Sequence, residues 1–155
     1  MKEQQVTLRH VTRDNWEAVN ALGLHPHQST YVPTVAESVA KVYLRPDGDH
    51  VSYEPFAICD GEEIVGFLMI AYEVEDETAV WMNGFFIDKE RQGQGYGRAA
   101  VQAAISLVKE RFPNASEMRL TLNPANSVAE SLYRSLGYED TGVIYGDEHV
   151  NRLIL

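Results

Sequence analysis

Residues 79–98 read AVWMNGFFIDKERQGQGYGR, an apolar strand that runs directly into a glycine-rich turn opening a helix. Gly93, Gly95 and Gly97 remove three side chains from one turn. Consecutive backbone N–H groups can then converge on an anion, with the positive end of the following helix dipole behind them. Arg91 and Arg98 flank the turn with fixed positive charge. A plain surface turn needs about one or two glycines at most, so the spacing points to a phosphate cradle.

Two common phosphate motifs can be tested against this stretch. No Lys-Ser/Thr pair follows the last glycine, which argues against a P-loop nucleotide site. Gly95-Tyr96-Gly97-Arg98-Ala99-Ala100 fits the dinucleotide spacing G-x-G-x-x-A. That motif, however, belongs to the first unit of a repeated βαβ architecture, whereas these glycines follow strands that read as antiparallel.

Gln92-Gly93-Gln94-Gly95-Tyr96-Gly97 resembles the acyl-CoA loop of the GNAT N-acetyltransferase superfamily, Q/R-x-x-G-x-G/A. Further along, Asn126-Ser127-Val128-Ala129-Glu130-Ser131-Leu132-Tyr133-Arg134-Ser135-Leu136-Gly137-Tyr138 resembles the N-x-x-A-x-x-L-Y-x-x-x-G-F/Y helix of the same enzymes. Within the superfamily, the pattern V-W-x-x-x-F-F-I-D-x-x-x-Q-G-x-G-x-G from Val80 to Gly97 is similar to bacterial spermine/spermidine N-acetyltransferases. An acidic connector and a tyrosine at position 31 extend that likeness.

The rest of the chain reads consistently. Val6–Val11 alternates as a first strand, and Asp14 can cap a short helix carrying Trp16, Val19 and Leu22. Thr34 can cap a second helix that ends before Pro46, and positions 45–52 form a polar connector. Tyr53–Cys59 and Ile64–Tyr72 make a hairpin around Asp60-Gly61. After the strand Ala79–Ile87, a helix with Val101, Ala104, Ile105, Val108 and Phe112 on one face stops at Pro113. Met118–Leu122 is the parallel partner of the preceding strand, Ser127-x-x-Glu130 reads as a capping box, and Gly137 ends the last helix. Two closing strands turn at Gly146-Asp147. The expectation is an α+β, GNAT-like domain over residues 1–155, with about seven strands in a mixed sheet and about four helices.

Composition bounds the partners. At 155 residues one domain can bury roughly 68–70% of its unfolded surface without staples. The net charge of −10, from 23 acidic and 13 basic residues, disfavours nucleic acid and suits cationic small molecules, although acidity also serves plain solubility. No secretory leader or membrane span is signalled, and the single Cys59 fits a reducing cytoplasm and a place in the core. His25-x-His27 lacks further ligands for a metal.

The resemblance implies a mechanism. Acetyl-CoA would lie between the strand Trp81–Ile87 and Met118–Leu122, with backbone groups of Phe86 and Ile87 on the pantetheine arm and a backbone N–H near Ile87 on the thioester oxygen. Gln92, Gly93, Gln94, Gly95, Tyr96, Gly97 and Arg98 would hold the pyrophosphate, and Asn126 the arm from the other side. Tyr133 would protonate the departing thiolate, and no metal is required. The acceptor implied is an amine, a polyamine by the subfamily likeness; other amines, or acyl-CoA binding without turnover, are the alternatives. Asn83 stands where some polyamine enzymes carry a carboxylate, and an amide takes no proton. Glu73 and Glu75 are therefore the candidate bases and substrate anchors, against a reading as a solvated strand edge, with Tyr31 and Asn83 beside the substrate. Asp47, Asp49 and Glu54 are further acids, and related enzymes are often homodimers.

Overall fold

The computed structural model describes residues 3–155. Seven strands form one mixed sheet, as expected, and their order in it is β1-β2-β3-β4-β5-β7-β6. They are β1 (Thr7–His10), β2 (Val51–Asp60), β3 (Glu63–Glu73), β4 (Ala79–Ile87), β5 (Glu117–Leu122), β6 (Glu139–Tyr145) and β7 (Glu148–Ile154). Four α-helices accompany them: α1 (Trp16–Asn20), α2 (Val35–Leu44), α3 (Tyr96–Arg111) and α4 (Ser127–Ser135). Only β4 and β5 pair in parallel; every other neighbour is antiparallel. None of the described helices is long and apolar enough to cross a membrane.

The alternation of side chains across the strands makes two cores. Phe56, Ile58, Val65, Leu68, Ile70, Val80 and Met82 pack on one face with Ala100, Val101, Ala104 and Val108 of α3. On the other face Tyr53, Ala57, Phe67, Met69, Ala71 and Phe86 pack with Val19 of α1 and Val35 of α2. Residues 67, 69 and 71 share the second face, so Glu73 at the end of β3 continues toward the same side.

Local readings needed correction at helix starts. Asn15, not Asp14, precedes α1, and the Asn15 side chain accepts from the Thr12 N–H at 2.8 Å. Leu22 lies beyond α1, and Trp16 is half exposed. The polar connector is shorter than expected because Val51 and Ser52 pair with Glu73 and Tyr72. The capping box at Ser127 does not form; Asn126 is the cap, its side-chain oxygen accepting from the Ala129 N–H at 3.4 Å. An Asn one residue earlier caps as well as a Ser, so the motif had two admissible phases. Thr34 caps α2 as expected, accepting from the Glu37 N–H at 3.1 Å. Two short 3-10 turns, Pro26–Gln28 and Lys89–Arg91, were not expected.

One irregularity in β4 shapes the molecule. Phe67 of β3 pairs with Phe86, but Met69 pairs with Asn83, leaving two residues of β4, Gly84 and Phe85, opposite Leu68. Gly84 sits at φ +62 in this bulge, and a Cβ there would stand 2.7 Å from the Ser38 hydroxyl oxygen of α2. Gly84→Ala combines left-handed strain with that clash, so we expect a loss of about 2 kcal/mol and a fall in Tm of about 4–8 °C. Thermal denaturation checks this; an unchanged Tm would mean that the bulge relaxes freely.

The end of α4 makes a second constraint. Gly137 at φ +100 places its N–H on the Arg134 carbonyl at 3.1 Å, and the Tyr138 N–H reaches the Tyr133 carbonyl at 3.0 Å. The same closure sets the Tyr133 and Tyr138 rings edge to face, with centroids 5.5 Å apart. Tyr138 is fully buried, and its hydroxyl has no protein partner. Tyr138→Phe keeps the ring and removes the orphan, so Tm should rise by about 2–4 °C, equivalent to about 1 kcal/mol. A fall in Tm would show that the hydroxyl is satisfied in solution.

Candidate functional site

Parallel pairing between β4 and β5 is short. Ala79, Val80 and Trp81 pair with Glu117, Met118 and Arg119, and there it stops. From Met82 onward the β5-facing edge of β4 is open, so its backbone N–H and C=O groups are available to a ligand. The last pair is pinned from above. Arg119 donates to both carboxylate oxygens of Glu117 at 2.9 and 3.1 Å, and its guanidinium lies 5.8 Å from the centre of the Trp81 ring. Hydrogen bonding from Arg119 holds the Glu117 carboxyl below the usual carboxylate range.

A cleft of about 1210 Å³ passes through this parting. At one end it is lined by Phe86, Ile87, Gln92, Gly93, Tyr96, Gly97, Asn126 and Tyr133. These residues come from the end of β4, the start of α3 and α4, and thus join both sequence motifs at one wall. Gly93 and Gly95 adopt φ +75 and +90. A Cβ at Gly93 would meet nothing within 4 Å, and at Gly95 only the Gln4 side chain at 3.5 Å, so the space outside the turn is open. No side chain caps α3, which leaves its first-turn N–H groups for an anion.

Several expected ligands of that anion are otherwise engaged. Tyr96 is buried, and its hydroxyl donates to Asp60 at 2.5 Å, an interaction that raises the phenol pKa. Gln92 donates its amide to the Ile87 carbonyl at 3.0 Å, which occupies one of that carbonyl's two lone pairs and leaves the other for a ligand. Arg91 pairs with Glu63 at 2.8 Å, and Arg98 donates to Ser135 at 2.7 Å. Gln94, Gly95 and Arg98 stand outside the lining of the cleft. Gly97 has room for a Cβ at ordinary contact, with Leu132 at 3.6 Å, so it is not needed for the turn itself. Asn126 uses its side-chain oxygen as the α4 cap and keeps its NH2 for a ligand.

Tyr133 lines the cleft while being buried, and burial pushes its phenol well above the ordinary value, with Tyr138 adding to the shift. The hydroxyl therefore stays protonated throughout the neutral range.

The opposite end of the cleft is acidic. Tyr31, Glu73 and Asn83 line it, joined by Asp47, Asp76 and Glu148. Glu75 does not line it; it lies exposed in the bend after β3. Asp47 accepts from the buried Tyr53 hydroxyl, whose pKa is raised to about 12, chiefly by burial. Hydrogen bonds from Thr78 lower the pKa of Asp76. His50 stands 3.9 Å from Glu73, and Lys41 is the one lysine in the lining. Glu148 and Arg119 were not singled out from the sequence, Asp76 was read only as part of the acidic connector, and Trp81 only as the start of the strand beside the pantetheine arm. Asp76-x-Thr78 carried a turn signal, whereas Glu148 reaches the cleft only because β7 lies beside β5. Among the described residues, no group of three or more His, Cys, Asp or Glu side chains gathers as a metal site would require.

Known proteins resemble this chain in sequence and in fold. A spermine/spermidine N(1)-acetyltransferase of Bacillus subtilis is 27% identical over 142 residues, covering 88% of this chain and 90% of that protein. The spermidine N-acetyltransferase of Vibrio cholerae, solved in complex with CoA and spermine, superposes with a TM-score of 0.73 at 19% identity, covering 97% and 95% of the two chains. AAC(6')-Ib in complex with ribostamycin and coenzyme A gives a TM-score of 0.75 at 18% identity, covering 97% and 94%. Residues 14–138 match the acetyltransferase (GNAT) family, and the chain belongs to that family.

Proposed function

We propose that this acetyltransferase takes its acetyl group from acetyl-CoA and transfers it by direct attack to a primary amine of a polyamine such as spermidine or spermine. The observation that carries the reading is the cleft through the β4–β5 parting, with an open helix N-terminus at one end and four carboxylates at the other. The backbone turn at 93–97 suits the pyrophosphate, the free edge of β4 suits the amides of a pantetheine arm, and the Asn126 NH2 can donate to that arm. Asp47, Glu73, Asp76 and Glu148 suit an acceptor carrying several positive charges. The Bacillus subtilis relative, by its name, acts on spermine and spermidine. The reading extends to one working unit over residues 1–155, a cytoplasmic homodimer acting on small molecules rather than on nucleic acid or membrane. The negative charge supports the part of it that concerns nucleic acid, and the lone buried Cys59 the part that concerns a reducing compartment.

Two protons must move. The acceptor ammonium, with pKa about 10, has no lone pair at neutral pH, and the departing thiolate, with thiol pKa about 8.5, leaves more readily when a proton is donated to it. Glu73 is the acid of the earlier candidate pair that faces the cleft, on the same side of the sheet as Trp81, and we assign it to binding or deprotonating the acceptor. Tyr133 is assigned to the sulfur. Its phenol is less acidic than usual, but the apolar surroundings that cause this also make a buried thiolate a stronger base, so the donation remains matched.

Thiol release from acetyl-CoA, measured against spermidine, spermine, a monoamine of similar length, an aminoglycoside, amino acids and a short peptide, tests the assignment. Polyamines should be the best acceptors, with apparent KM rising with ionic strength because exposed charges are screened over about 8 Å. Glu73→Gln should raise KM for spermidine by about 2- to 5-fold and leave the monoamine nearly unaffected. Equal efficiency for monoamine and polyamine would remove the polyamine assignment. Tyr133→Phe should lower kcat by about 10²- to 10⁴-fold with coenzyme A affinity unchanged. In wild type kcat/KM should climb as pH rises toward the amine pKa, with no alkaline fall from Tyr133, whose proton is held by burial. Full activity in Tyr133→Phe would assign the proton to another donor.

A further inference from the structure

The two halves of the cleft are joined by more than the sheet. The segment from Gly23 to Tyr31 walls the acceptor half, and residues 87–92 lead into the phosphate turn. The Gly23 N–H donates to the Asp88 carboxylate at 2.9 Å, and the Lys89 N–H donates to the Gly23 carbonyl at 2.8 Å. At the other end of the segment Gln28 and Gln92 face each other as a reciprocal amide pair, each Nε2 donating to the other's Oε1 at 3.0 Å.

That pair sits in a longer path. The second hydrogen of Gln92 Nε2 goes to the Ile87 carbonyl at 3.0 Å. Gln28 Oε1 also accepts from the His25 N–H at 3.2 Å, and the Gln28 carbonyl accepts from the Tyr31 N–H at 3.0 Å. Tyr31 on the acceptor wall is thus connected to Ile87 on the donor wall through two side chains. Both must donate and accept at once, which at this length only an amide does.

We propose that Gln28 is a positioning residue for the donor half of the site, acting through Gln92 to fix the Ile87 carbonyl and the approach to the phosphate turn. The proposal rests on reading that half as the coenzyme A site. Affinity for coenzyme A then depends on a side chain of the acceptor wall. A Gln28 that merely shaped its own segment would change the KM of the amine alone.

The test is calorimetric titration of coenzyme A, without amine, into wild type, Gln28→Met, Gln92→Met and the double variant. Methionine keeps the length and removes the hydrogen bonds. Gln28→Met should weaken coenzyme A by about 2- to 10-fold, the worth of one net hydrogen bond. The double variant should bind no more weakly than Gln92→Met alone, because both substitutions break one path. Unchanged affinity in Gln28→Met would overturn the proposal, and so would additive losses, which would mean that Gln28 touches the ligand directly. Gln28→Ser, which cannot overpack the site, carries the same expectations if the methionine variant does not fold. A wild-type protein that binds no coenzyme A would overturn the cofactor reading itself, an outcome distinct from binding that Gln28 does not influence.

Discussion

Everything in this structure turns on where β4 leaves β5. Three residue pairs are shared, and the separation begins beyond Trp81–Arg119. A parallel strand that lost its partner within a buried sheet would leave polar backbone groups without bonds, at a cost of about 1–3 kcal/mol for each buried group. The opening is tolerable because it forms a cleft, where water or a ligand can take those bonds. The bulge at Gly84 and the Arg119–Trp81–Glu117 cluster act from opposite ends, one diverting β4 and the other stopping the strands from parting further.

Most of the fold was legible because its signals were local and agreed. β4 was read with its observed ends, and the Asp60-Gly61 turn placed the first hairpin, Gly61 having φ +58. Helix starts were less secure. Asn126 and Ser127 are adjacent residues with equal capping chemistry, and only the chain's path chooses between them, while α1 starts after Asn15 with no side-chain cap at all. The bulge had a visible source in Gly84, but a lone glycine in a strand does not say which face it redirects.

The candidate site divided along the same line. The glycine turn and Asn126-to-Tyr138 helix were found as motifs, and both line the cleft. The side chains of Tyr96, Gln92, Arg91 and Arg98 could not be placed from sequence, since Asp60, Gln28, Glu63 and Ser135 lie far away in the chain. Glu73 and Glu75 looked equivalent by alternation, yet β3 ends at Glu73 and the bend beyond it breaks the period. Asp76 reaches the same wall from the β3–β4 connection and Glu148 from the start of β7, an assembly that no local pattern encodes.

The engaged side chains around the glycine turn have a consequence for how this scaffold can diversify. The glycine turn in one half of the cleft presents main-chain groups, whose position depends on backbone angles at Gly93 and Gly95 rather than on the identity of the surrounding residues. The other half is built from side chains on β3, β4, β7 and three connections. Substitutions there alter charge and shape without disturbing the turn, so acceptor choice is free to drift while the donor stays the same. The Gln28–Gln92 pair is the point where that independence ends, and a change at either glutamine is felt on both sides.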